Sequence, residues 1–505
     1  MDSAAGEYDL LVVGGGINGA GIARDAAGRG LKVLLVERDD LAAHTSSAST
    51  KLIHGGLRYL EHGAFRLVRK ALIERERLLD IAPHLIRPLE FVIPQTGAGR
   101  PAWLVRLGLL IYDRLGGMSR LPRTRTVKLS DGQYANGLRH AAGKGFAYWD
   151  CWVDDSRLVV LNAVDAAARG GVVLTRTEMC AATRSGDYWL AVLRAPDGVH
   201  QVRARALVNA AGPWVGEMIG RLGTRSERSV RLVKGSHIVL PKLFAGDHAF
   251  LIQNPDGRVV FAIPYEGGFT LIGTTDVGWE GAPGKAKISD EEVAYLLETV
   301  ARNFARTVGA ADILWSYSGI RPLLEDGVRN ASAVTRDYVF ELDDQGPPSL
   351  TIFGGKITTY RQLAEQALDR LAGYFPAMTG GWTDSAALPG GALPGSLSDY
   401  LAHLRTTYPD LPASLLDRLG RSYGTEAKHL LGDLQTLSDL GETFGAGLTA
   451  REVDYLIDRE WALSADDILF RRSKLGIHIN EASVARLESH VQRRTGRGMR
   501  ASHEC

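Results

Sequence analysis

Residues 8 to 37 leave few folds open. Tyr8-Asp-Leu-Leu-Val-Val13 is an apolar, β-branched run that reads as a buried strand. Gly14-Gly-Gly16-Ile-Asn18-Gly19 comes next as G-x-G-x-x-G, Ile17 to Arg29 reads as a helix, and Leu31 to Val36 as a second buried strand ending in Glu37. Strand, glycine turn, helix, strand and acid in that order make the βαβ unit of a dinucleotide site. Gly14 permits the tight turn and Gly16 lets backbone approach a pyrophosphate. The helix N-terminus offers N–H groups and a partial positive charge to the phosphates. Glu37, with Arg38 beside it, stands where an acid can accept from the adenosine ribose hydroxyls.

The segment after Glu37 narrows the dinucleotide. A plain NAD domain would run into another βα unit. Here Thr45-Ser46-Ser47-Ala-Ser-Thr50 leads into Lys51-Leu-Ile-His54-Gly55-Gly56. Hydroxyls and flexible backbone suit a chain lying along a diphosphate and a flavin edge. Asn209-Ala-Ala211-Gly212-Pro-Trp214 is a small-residue turn that can sit against the same cofactor. Phe353-Gly354-Gly355-Lys356-Ile-Thr358-Thr-Tyr-Arg361 brings a glycine pair and an ammonium to a helix start.

With Cys151-Trp-Val-Asp-Asp155, Lys234-Gly-Ser-His237-Ile-Val239, Gly273-Thr-Thr-Asp276, Ser318-Gly-Ile-Arg321-Pro322 and Thr335-Arg336-Asp-Tyr338, these motifs run in order over roughly residues 8 to 390. Together they resemble the FAD-dependent, respiratory glycerol-3-phosphate dehydrogenases. The resemblance implies FAD as cofactor and oxidation of sn-glycerol 3-phosphate to dihydroxyacetone phosphate, with hydride transfer to flavin N5. It implies electrons passed to a membrane quinone by a cytoplasmic protein held peripherally on the inner face of the membrane. It also implies a Rossmann-like FAD-binding domain of the glutathione-reductase/D-amino-acid-oxidase type, an antiparallel-sheet substrate domain and a helical C-terminal domain, an α/β and α+β architecture. Arg58, Tyr59, Arg321, Arg336 and Lys356 become the substrate contacts. His237, Arg321 and Lys356 become the catalytic groups.

The residue chemistry fits those roles. Guanidinium matches phosphate bidentately. A neutral imidazole near its usual pKa of ~6.5 serves as a general base; His237 is the candidate, and His54, its competitor, reads as a packing or flavin-loop residue. Lysine is disfavoured electrostatically at a helix N-terminus, so Lys356 needs a reason to be there; negative charge on a reduced flavin is one.

Composition excludes some classes. In 505 residues, 59 basic and 58 acidic side chains give net +1, so no nucleic-acid partner is expected. Three cysteines without metal spacing predict neither a disulfide framework nor a metal site, and point to a reducing cytoplasm. Met1 to Glu7 has no signal-peptide character, and no apolar run approaches the ~20 residues of a membrane span. Residues 100 to 128 hold Arg100, Arg106, Arg114, Arg120, Arg123, Arg125 and Lys128 against the single acid Asp113. Between them, Pro101 to Tyr112 is an apolar helix. It reads either as a membrane-interface helix or as core under a solvated basic loop.

The patterning predicts a discontinuous FAD-binding domain (residues 1–95, 150–230 and 310–385), a substrate domain (96–149 and 231–309), and a helical domain (396–505) after the Pro/Gly-rich Leu388 to Gly395. Rival functions at this point are an oxidase using oxygen, an amino-acid or hydroxy-acid oxidase of the same fold, and a flavin-binding protein without dehydrogenase activity. A homodimer is left open.

Overall fold

The computed structural model describes residues 6–95, 99–325 and 337–496. Its first sheet is assembled from distant segments. The strands run Val339–Asp343, Ser349–Phe353, Gly198–Asn209, Glu7–Val13, Val33–Val36, Val172–Leu174, with Glu178–Ser185 and Tyr188–Ala195 extending it beside Gly198–Asn209. Glu7–Val13 lies parallel to both neighbours: Leu10 faces Val33 on one side and Ala206 on the other. The strand order reverses there, so a crevice opens at its carboxyl end.

Helices Ile17–Gly28, Asp155–Ala168 and Tyr360–Leu371 pack against this sheet. Leu10, Val12, Ile22, Val33, Leu35, Val160, Val208, Leu350 and Leu363 make one continuous core. These strands are buried on both faces, which is why they read as unbroken apolar runs.

The second sheet has ten strands, mostly antiparallel. Val230–Pro241 pairs with Phe269–Gly273 and, over ten residues, with Trp315–Leu324. Ile86–Pro94 pairs along its whole length with Lys144–Val153, which also takes Leu52–Ile53. This departs from the expected boundaries. Leu52–Ile53, Ile86–Pro94 and Trp315–Leu324 belong to the second sheet, although the sequence pattern places their segments in the nucleotide domain. Their backbone groups are buried and must be paired, and the strands able to pair them come from the other half of the chain.

Residues 397–495 fold as helices around their own core of Tyr400, Leu404, Leu416, Leu419, Phe444, Leu456 and Leu487. A capping box of Ser289 and Glu292 opens helix Asp290–Asn303. Ser464 N donates to Asp467 Oδ2 at 3.1 Å and Asp467 N to Ser464 Oγ at 3.2 Å in the same manner, at the start of a π-helical turn, Asp467–Arg472.

Helix Ala102–Leu115 has one face in the core and one on the surface. Val105, Leu109 and Tyr112 are buried, while Trp103 is 69% and Leu107 48% exposed. The surrounding positive charge is smaller than the sequence suggested. Arg100 pairs with Glu61, Arg120 with Asp80 and Arg125 with Glu90.

Candidate active site

The first cleft opens at the carboxyl end of Glu7–Val13 and encloses ≈ 1240 Å³ of empty space continuous with solvent. Gly14, Gly16, Asn18, Glu37, Arg38, Thr45, Ser46, Ala211, Gly212, Trp214, Gly354 and Gly355 all line it. Main chain shapes most of it. Gly14 has φ +114°, and a Cβ there would lie 2.5 Å from the Ala210 carbonyl. Glu37 accepts from Gly15 N at 2.6 Å and Asp39 N at 2.8 Å; burial nonetheless pushes its carboxyl above the usual range. Ser46 Oγ accepts from Ile17 N at 3.0 Å, at the helix N-terminus. Arg38 lies over the Trp214 ring at 4.2 Å and His44 packs against the same ring at 4.6 Å.

Asn18 tests whether a large polar cofactor fits. Its Nδ2 donates to Gly354 O at 3.2 Å, but its buried Oδ1 has no partner among the described residues. A glycine-lined channel, a helix N-terminus, a carboxylate beside it and an orphaned acceptor suit a dinucleotide lying along the crevice.

A second cleft, with ≈ 1310 Å³ of empty space also open to solvent, begins where the same loop continues. His54, Gly56, Arg58, Tyr59, Thr274 and Asp276 form its polar end; Leu104, Leu107, Ile111, Tyr148 and Phe261 form its apolar walls. Arg58 makes no hydrogen bond or ion pair among the described residues, and its Nε is buried. Lys356 Nζ sits 3.7 Å over the Tyr59 ring. Arg321 reaches Thr274 Oγ1 at 2.7 Å and forms an ion pair with Asp276. Gly235 makes room for it: a Cβ there would meet Arg321 Nη2 at 2.2 Å.

His237 lies behind this end, 1% exposed. Its ring stacks on Tyr317 at 4.8 Å, and its Nε2 meets Thr50 Oγ1 at 3.0 Å. Burial, with Arg321 and Lys51 nearby, holds its pKa well below the ordinary 6.5, so the imidazole is neutral. Gly273 leaves space for the ring, since a Cβ would lie 2.1 Å from His237 Cδ2.

Several expected contacts fall elsewhere. Lys51 is fully buried and turns away from both clefts to Asp155 (2.9 Å) and the Ser47 carbonyl (2.9 Å). An ammonium drawn out of water takes the nearest carboxylate. Ser47 Oγ donates to the His44 carbonyl at 3.1 Å and faces a neighbouring cleft with Trp315 and Phe470. Gly19 touches no open space; a Cβ there would strike Gly14 O, so its role is turn packing. Gly55 donates to Tyr112 Oη at 2.8 Å, and Thr358 Oγ1 accepts from His54 N at 3.3 Å. His54 borders the second cleft rather than the first. Arg336 lies outside the described residues.

Sequence reasoning missed Thr50, Asp276 and Tyr317 as neighbours of the reacting groups. The glycines at 235 and 273, each leaving space that a side chain fills, were the available signal.

The two-sheet fold and the dinucleotide crevice define a flavoprotein oxidoreductase, and the comparisons agree. The model of the FAD-dependent oxidoreductases matches residues 9–361, and the C-terminal domain of alpha-glycerophosphate oxidase matches residues 382–493. The chain is 52% identical to D-erythritol 1-phosphate dehydrogenase of Brucella abortus, covering 94% of this chain and 96% of that protein. It is 51% identical to glycerol-3-phosphate dehydrogenase of Pseudomonas aeruginosa, covering 96% and 95%. It is 46% identical to aerobic glycerol-3-phosphate dehydrogenase of Escherichia coli, covering 95% and 96%. The solved structure of glycerol-3-phosphate dehydrogenase from Bacillus halodurans, complexed with FAD, superposes with a TM-score of 0.76 at 26% identity, covering 96% of this chain and 90% of that one. The chain belongs to the FAD-dependent oxidoreductases and, within them, to the glycerol-3-phosphate dehydrogenase family; its cofactor is FAD.

Proposed function

We propose that this enzyme oxidises sn-glycerol 3-phosphate to dihydroxyacetone phosphate and passes the electrons to membrane quinone. The observation that carries the reading is Arg58: a guanidinium with a buried, unpartnered Nε, beside Tyr59 and Lys356, in a cleft next to the flavin loop. Such a group calls for an anion, and a phosphate matches it.

FAD, when bound, would supply the two-electron acceptor. Arg58, Tyr59, Arg321 and Lys356 hold the phosphate and the alcohol in line, a role the resemblance extends to Arg336. His237, neutral and fixed by Tyr317 and by the hydrogen bond between its Nε2 and Thr50 Oγ1, takes the hydroxyl proton. Glu37 would hold the adenosine ribose; Gly14, Gly16 and the helix at Ile17 would hold the diphosphate. Among the described residues no helix is long and apolar enough to cross a membrane. Helix Ala102–Leu115 is the docking element of the reading. Trp103 and Leu107 enter the interface, and Arg106, Arg114, Arg123 and Lys128, which form no ion pair among the described residues, face anionic headgroups.

A second substrate, D-erythritol 1-phosphate, is favoured by the 52% identical relative. It offers the same phosphate and a secondary alcohol on a longer chain. Anaerobic titration separates the readings. The enzyme-bound flavin should bleach with glycerol 3-phosphate; bleaching by D-erythritol 1-phosphate alone would transfer the assignment to it. Bleaching by D-amino acids and by neither phosphate would overturn both.

A further inference from the structure

Leu469-Phe-Arg-Arg-Ser-Lys474 lines neither the flavin cleft nor the substrate cleft. It belongs to the helical C-terminal domain, and its basic side chains, besides bonding within that domain, reach out of it. Arg472 is fully buried and donates to Asp40 at 2.7 and 2.8 Å; Arg471 adds a bond to Asp40 at 2.6 Å. Lys474, with φ +58° and 3% exposure, sends its Nζ to Asp155 Oδ1 at 3.2 Å, to Ser156 Oγ, and to the Phe470 carbonyl at 3.2 Å.

Asp40 and Asp155 bracket the flavin loop. Asp40 immediately precedes it. Asp155 holds its far end, accepting from Ser49 N at 3.3 Å, Ser49 Oγ at 2.7 Å and Lys51 Nζ at 2.9 Å. The loop so held presents Thr45, Ser46 and Ser49 to the first cleft. At its end Thr50 meets His237, and Tyr317, stacked on that imidazole, donates to the Ser49 carbonyl at 2.9 Å.

We propose that Lys474 is a positioning residue for the flavin site: through Asp155 it sets the Ser47–Thr50 backbone against which FAD and His237 are aligned. The C-terminal domain thereby completes the active site. Asp155 has two ammonium partners, so removing Lys474 leaves the carboxylate paired with Lys51. The loop loses one of the two restraints on its anchor, while the buried charge stays compensated.

The test compares Lys474→Met, Lys474→Gln and Lys474→Arg with the wild type. Holoenzyme is examined by visible-region circular dichroism of the bound flavin; apoprotein is titrated with FAD and melted with and without it. Met and Gln should raise the FAD Kd about tenfold, the worth of one charge-assisted hydrogen bond. They should also alter the flavin dichroism and shrink the rise in Tm that FAD produces. Arg should restore all three. If apo and holo Tm fall together while Kd and dichroism stay as in the wild type, the lysine only joins domains and the proposal fails. It fails equally if neither Met nor Gln yields folded apoprotein.

Discussion

The two clefts share one loop and are made of different material. Around the turn at residues 14 to 19 the first is main chain, glycines and a helix N-terminus with the Glu37 carboxylate beside them, while side chains such as Glu178, Glu217 and Arg221 line the rest. The second is side chain: a guanidinium from residue 58, a second at 321 held by residues 274 and 276, an ammonium from 356 over Tyr59, and apolar walls from the helix at 102–115. A backbone site is broken by added bulk and forgives lost side chains. A side-chain site is broken by lost charge.

That contrast can be attacked from both sides. The largest effect should come from Gly14→Ala. Its φ of +114° and the Ala210 carbonyl 2.5 Å from a new Cβ leave no room, so the purified protein should be colourless and inactive; a yellow, active variant would end the main-chain account. Next is Arg321→Ala, which should keep its flavin and lose roughly ten- to hundred-fold in kcat/KM for glycerol 3-phosphate, the value of a charged hydrogen bond or a bidentate pair. Steady-state kinetics near wild type would remove Arg321 from the substrate. Glu37→Ala should be milder, because backbone still holds the diphosphate. A rise of about tenfold in FAD Kd is expected, read by flavin retained after dialysis, and full retention would relieve Glu37 of the ribose. The smallest effect on chemistry should be that of Trp103→Glu with Leu107→Glu. Turnover with a soluble dye should be unchanged, while co-sedimentation with anionic vesicles falls and quinone reduction is lost. Each basic group near such a surface contributes about 1 kcal/mol, so wild-type binding should weaken with salt. Unaltered sedimentation would move docking to another surface.

The contrast also explains what sequence could disclose. The βαβ unit was legible from spacing because its ligands are contiguous backbone groups, and the glycines, Glu37 and the helix all lie where that spacing puts them. The second cleft was legible only through resemblance, since Arg58, Tyr59, Arg321 and Lys356 converge across some 300 residues of chain. Lys51 misled for a physical reason. A lysine in a hydroxyl-rich loop looks like a phosphate ligand, but a buried Asp155, invisible at that distance in sequence, outcompetes any ligand for it. The domain boundaries misled similarly: nothing local in Ile86–Pro94 says that its partner is Lys144–Val153. The helix at 102–115 could not be decided because one face is core and the other is surface, and composition averages the two.

The strand Glu7–Val13 lies beside Gly198–Asn209, which in turn lies beside Ser349–Phe353. On the ribosome these three emerge far apart in time. At about 5–20 residues per second, the first must wait roughly 20 to 70 seconds for the third. Until residue 209 has emerged the first strand lacks its partner on one side, and until residue 353 that partner lacks its own. Chaperone demand during synthesis, rather than stability once finished, should therefore limit the yield of this protein, and slowing translation ahead of residue 349 should cost more soluble enzyme than slowing it afterwards.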